Sequence, residues 1–117
     1  MSNLEEAVKI SRILIVDGEP AELRATSQLL REAGYEVTEA SMREEGLRLT
    51  EQTKPHLVLL DVVLPDMDGL EMCRRIKADT ELANIFVALL SGMKVNSAGQ
   101  AEGLEGGADE FISRPIP

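Results

Sequence analysis

The sequence has no tryptophan, one tyrosine, two phenylalanines and a single cysteine. Aromatic residues make up 3% of a chain that is 44% hydrophobic, so any core must be built from aliphatic side chains. One cysteine excludes an intrachain disulfide and a thiolate metal cluster. Such sparing use of cysteine fits a reducing, cytoplasmic compartment. No apolar run approaches the roughly 20 residues that span a bilayer. The opening "MSNLEEAVKISR" balances two acids against two basic residues and lacks an apolar stretch, so it does not read as a secretory signal. Positive charge is also scarce, with 12 basic residues against 21 acidic ones and a net charge of −9. That is the wrong sign for direct binding of nucleic acid or of an anionic membrane. The length, 117 residues, fits one domain, and no internal repeat or low-complexity segment is present.

What is there is a regular alternation. The run "ILIV", between Arg12 and Asp17, is apolar without alternation and predicts a strand buried on both faces. Pro20 suits the first turn of a helix whose buried stripe would be Leu23, Leu30 and Ala33, with Gly34 just past its end. "YEVTEA" alternates, so Tyr35–Ala40 reads as a strand with a more exposed face. Ser41 and Glu44 have capping-box spacing and open a second helix that ends before Pro55. "HLVLLD" gives a third strand, Leu57–Asp61. "LEMCRRIKAD" gives a helix with Leu70, Cys73, Ile76 and Lys77 on one face, the lysine stem lying along the core edge. "IFVALL" is a fourth strand ending at Ser91. A segment from Asn96 to Gly107, with Gly99, Gly103, Gly106 and Gly107, predicts a weak or short helix. "DEFIS" is a brief fifth strand.

Strands that alternate with helices in this way imply an α/β fold, a doubly wound parallel sheet of five strands with helices on both faces. In such folds the functional crevice lies beyond the carboxyl ends of the strands. Asp17, Asp61, Ser91 and Arg114 follow strands one, three, four and five, so two acids, a hydroxyl and a guanidinium are expected on one rim. Taken singly, each has a structural explanation, since Asp is common in turns, Ser caps helices and Arg is usually solvated. Together they suit phosphoryl transfer to a carboxylate. The acceptor is an exposed oxygen on a rigid strand end, a hard divalent cation neutralises charge, and a hydroxyl and a fixed cation bind phosphoryl oxygens.

"ILIVDGEP", "HLVLLDVVLPDMDGLEMCRRIKAD", "VALLSG" and "GADEFISRPI" resemble, in order and spacing, the blocks of receiver domains of two-component response regulators, the CheY-like superfamily. The resemblance covers Ile13 to Pro115, and "DVVLPDMDG" is its most specific run. It implies a flavodoxin-like strand order 2-1-3-4-5. Residues 1–11 would be an N-terminal extension and residues 12–117 a receiver lacking its C-terminal helix. Receivers usually close with a fifth helix, so the natural polypeptide is expected to continue beyond Pro117. The resemblance further implies that Asp61 accepts a phosphoryl group from a histidine kinase or phosphotransfer protein, and that Asp17, Asp61 and the Val63 backbone carbonyl hold magnesium. Ser91 would be the switch hydroxyl and Phe111 the aromatic coupled to it, with Pro65 and Gly69 shaping the loop after the acceptor. Output would pass to a further domain or a downstream protein through the face around residues 93–114. Such a chain is a signalling module and not an enzyme with an external substrate.

Two positions depart from the family pattern. Gly18 stands where receivers carry a second acid, the direct metal ligand, and Arg114 stands where they carry a lysine. Glu19 is common at its position in receivers and is not evidence of compensation. A missing ligand could be replaced by water at lower affinity. Arginine keeps the charge but is planar and forked, suited either to phosphate or to pairing with Asp61. The alternative function is therefore a pseudo-receiver that binds partners without phosphorylation. A flavodoxin-like nucleotide or flavin binder is disfavoured, because "DGEPAE" offers one glycine and two acids where phosphate needs a cradle. His56 reads as an edge residue, Cys73 as packing and Met67 as a loop residue.

Overall fold

The structure, a computed structural model, describes residues 10–62, 69–91 and 107–113. Five parallel strands form one sheet: β1 (Arg12–Val16), β2 (Glu36–Ala40), β3 (Leu57–Asp61), β4 (Phe86–Ser91) and β5 (Glu110–Ser113). Their order across the sheet is β2-β1-β3-β4-β5, as the resemblance implied. Three helices are described, α1 (Pro20–Glu32), α2 (Arg43–Thr53) and α3 (Gly69–Ala78). The segment expected to form a weak helix, from Asn96, lies outside the described residues apart from Gly107.

Alternation along the strands divides the core in two. On one face Leu14, Val16, Val58, Leu60, Val87 and Leu89 are buried with Met72, Cys73 and Ile76 of α3, and Leu47 and Leu49 of α2 pack against them. On the other face Ile13, Ile15 and Leu23 of α1 form a smaller cluster, bordered by partly buried Ile10, Leu30, Tyr35, Val37, Leu57 and Leu59. Helices therefore cover both faces. β1 is central and all four of its apolar residues are buried, whereas β2, at the edge, buries only Ala40 fully. Burial pushes the Cys73 thiol above its ordinary value, so it stays protonated and packs as an apolar group.

Two sequence expectations are corrected. Ala33 is exposed and serves as the C-cap of α1. The buried stripe runs through Leu23, Ser27 and Leu30, at i, i+4 and i+7. Gly34 does follow the helix, at φ +100°, and the end closes with Gly34 N donating to Arg31 O (3.0 Å) and Tyr35 N to Leu30 O (3.1 Å). The second correction concerns α2. Its N-cap is Met42, in extended conformation and without a side-chain capping bond, so Ser41 and Glu44 do not form a capping box. The first turn is instead closed by Gly46 N donating to Met42 O at 3.0 Å. The far end behaves as expected, stopping at Thr53 with Lys54 left-handed before Pro55.

Candidate functional site

Register brings the acids together before any side-chain contact is considered. Val16 pairs with Leu60 across β1 and β3, so Asp17 and Asp61, the next residues, leave the two central strands side by side. Asp17 is fully buried. Its backbone N donates to Ala40 O (3.0 Å), and its Oδ1 accepts from Glu19 N (2.9 Å). That bond turns the chain at once from strand to helix. Glu19 is the N-cap of α1 and Pro20 its first residue, where a missing N–H costs nothing. Leu23 turns inward to the core, which leaves Glu22 in the first turn of α1 beside the strand ends.

The result is a group of three carboxylates. Asp17, Glu22 and Asp61 each offer an oxygen, and these oxygens lie within 4.8 Å of one another. Burial is graded across the group: Asp17 is buried, Asp61 half-buried and Glu22 exposed. Two unit charges 4 Å apart repel by about 1 kcal/mol in water and about 4 kcal/mol near a protein surface, so this arrangement favours a cation. Its donors are all carboxylate oxygens, the set that hard divalent ions such as magnesium take. Neither imidazole nor thiol is at hand, because His56 precedes β3 at the other end of the sheet and Cys73 is in the core. A zinc-type donor set is therefore absent among the described residues.

The backbone around Asp61 is held on both sides. Val62 N donates to Leu90 O (2.9 Å), and Gly69 N donates to Val62 O (2.7 Å). Gly69 opens α3 directly against this backbone. A Cβ there would fall on the Asp61 carbonyl oxygen and 2.9 Å from Val62 Cα, so only glycine lets the loop after Asp61 return so closely.

Ser91 ends β4, 4% exposed, one residue past Leu90, the registered partner of Asp61. Phe111 pairs with Leu89 and packs, partly buried, against the larger core cluster. By alternation Phe111 and Ser91 belong to the same side of the sheet, while Asp61 belongs to the side of Leu90. Of the remaining expected site residues, Val63, Pro65, Met67 and Arg114 lie outside the described residues, as does most of the expected output face at 93–114. Glu22 was not singled out in the sequence. The available signal was its place two residues after a helix-starting proline, and that signal does not reveal which way the helix lies over the sheet.

The sequence model of the response regulator receiver domain matches residues 13–117. A "DNA-binding dual master transcriptional regulator RpaA" of Synechocystis is 36% identical over 105 residues, which are 90% of this chain and 43% of that protein. "Protein PilH" of Pseudomonas aeruginosa is 31% identical over 107 residues, 92% of this chain and 88% of that protein. Among solved structures, a CheY-like response regulator receiver domain protein from Methanospirillum hungatei superposes with a TM-score of 0.84 at 33% identity, covering 93% of this chain and 85% of that one. The chain spans less than half the length of several curated relatives it matches. No helix among the described residues is long and apolar enough to cross a membrane. With its 2-1-3-4-5 parallel sheet, its acids at the carboxyl ends of β1 and β3 and a family match over nearly its whole length, the chain belongs to the response regulator receiver domains of two-component systems.

Proposed function

We propose that this receiver domain is a working phosphoacceptor, with Asp61 as the acceptor. The observation that carries the reading is the placement of Asp61 at the end of a central strand, grouped with Asp17 and Glu22. An Asp61 carboxylate oxygen forms the new P–O bond while the phosphorus–nitrogen bond of a partner's phosphohistidine breaks. The leaving imidazole keeps the electron pair and takes a proton from solvent. Magnesium, when bound, supplies positive charge between the acceptor carboxylate and the phosphoryl group. Asp17 and Asp61 would hold it, with the Val63 carbonyl as a further oxygen. Asp17 is suited to this because burial and its bond from Glu19 N fix its orientation. Ser91, buried at the end of β4, is the hydroxyl for a phosphoryl oxygen, and Arg114 supplies the positive charge. Phe111 follows Ser91, passing the change to the face around residues 93–114.

On this reading the domain at most promotes its own phosphorylation and dephosphorylation. Its partners are a histidine kinase or phosphotransfer protein on the input side and, on the output side, an adjoining domain or a downstream protein in the cytoplasm. The net charge of −9 argues against this domain touching nucleic acid itself. Gly18 is the feature that favours the competing reading, a pseudo-receiver that binds without phosphorylation. Intact mass separates the two. After incubation with acetyl phosphate and magnesium, the wild type should gain one phosphoryl group and Asp61→Asn none. No gain in the wild type, with magnesium or manganese, would establish the pseudo-receiver.

A further inference from the structure

We propose that Glu22 supplies the metal-binding carboxylate that is missing at Gly18, so that the magnesium site of this chain is built from Asp17, Glu22 and Asp61. The inference rests on the receiver reading of the site and concerns which residues make it. Three observations converge on it. The acid that follows Gly18, Glu19, is the extended N-cap of α1 and is not part of the carboxylate group. The acid that does reach Asp17 and Asp61 comes from the first turn of α1, with its oxygen within 4.8 Å of theirs. The helix start that puts it there is fixed twice, by Asp17 Oδ1 accepting from Glu19 N and by Pro20 in the first helical position.

The charge count agrees. Gly18 removes one carboxylate from the corner and Glu22 restores it, so a divalent cation meets three acids despite the glycine. Glutamate is one methylene longer than aspartate, which suits a ligand reaching back from the helix to the strand ends. An acid in the first turn of a helix also has a purely structural use, since it complements the helix dipole. That role predicts a small, cation-independent change in stability when the charge is removed. Ligation predicts a change in cation affinity.

The test is calorimetric titration of Mg2+ into the unphosphorylated full chain, repeated with Mn2+ followed by electron paramagnetic resonance. It compares the wild type with Glu22→Gln, Glu22→Asp and the double variant Gly18→Asp with Glu22→Gln. Circular dichroism in EDTA checks that each is folded. Glu22→Gln should weaken both cations by at least about tenfold, the lower end of what losing one supporting group at a metal site costs. Glu22→Asp keeps the charge at the helix start but draws it back, and should also weaken binding. The double variant should recover affinity, because an acid returns to position 18. Unchanged affinity in Glu22→Gln would overturn the inference and leave the phosphoacceptor reading standing. Wild-type affinity in Glu22→Asp would overturn direct ligation in favour of a diffuse charge effect. A wild type that binds neither cation would overturn the inference, and the mass measurement would then decide the phosphoacceptor reading separately.

Discussion

At the amino end of the sheet, Lys77 Nζ donates to Ala83 O (3.1 Å), Ile85 O (2.7 Å) and Asp109 Oδ2 (2.7 Å), and the same Asp109 oxygen accepts from Val87 N at 2.8 Å. His56 Nδ1 accepts from the backbone N–H groups of Ser11 and Arg12, and the Arg12 guanidinium donates to Lys54 O. Charge there is matched within the chain, by groups of opposite sign or by backbone. At the carboxyl end, Asp17, Glu22 and Asp61 bring three like charges within 4.8 Å. One end ties α3 to the approaches of β4 and β5 and serves stability. The other gathers like charge into a distribution that suits a cation and a phosphoryl group.

Three substitutions test the difference between the two ends. The largest effect is expected from Gly69→Ala, whose methyl group would meet the Asp61 and Val62 backbone. Forcing that backbone apart should cost about 3 kcal/mol in urea unfolding and reduce phosphoryl gain as well. A neutral result would mean that the close approach does not shape the acceptor loop. Next is Lys77→Met, which keeps the stem but removes three bonds from a side chain only 16% exposed. The expected loss is about 2 kcal/mol, the same in EDTA and in magnesium. A loss that depended on magnesium would join the two ends and break the comparison. The smallest change, and the one of opposite sign, is Asp17→Asn in EDTA. The Asn side-chain oxygen can still accept from Glu19 N, while the repulsion is relieved, so stability should rise by about 1 kcal/mol. Saturating magnesium should stabilise the wild type and leave the variant nearly unmoved, as thermal melts with and without the cation would show.

The fold was legible because its core strands carry uninterrupted aliphatic runs, and because acids terminate two of them. "ILIV" and "LVLL" do not alternate and read as interior strands; β1 is indeed buried on both faces, while β3 buries Val58 and Leu60 and only half-buries Leu57 and Leu59, and the resemblance supplied their places in the sheet. Register then set Asp17 beside Asp61 with no further information. Helix details were less legible. Ser41 and Glu44 have capping spacing, yet the chain enters α2 one residue later, and Ala33 ended as a cap because the Gly34 turn came first. Glu22 could not be read at all. Its meeting with Asp61 joins positions 39 apart and depends on how α1 lies across the sheet, which packing at Leu23, Ser27 and Leu30 decides and local sequence does not.

On the reading proposed above, the acidic corner at the carboxyl end accepts a phosphoryl group on Asp61 alone and needs a divalent cation to do so. Peptide mapping by mass spectrometry after acetyl phosphate treatment, with borohydride reduction to trap the acyl phosphate, tests it directly. The expected result is a single modified position, Asp61, labelled in magnesium and unlabelled in EDTA. A label on any other residue, or equal labelling in EDTA, would contradict it.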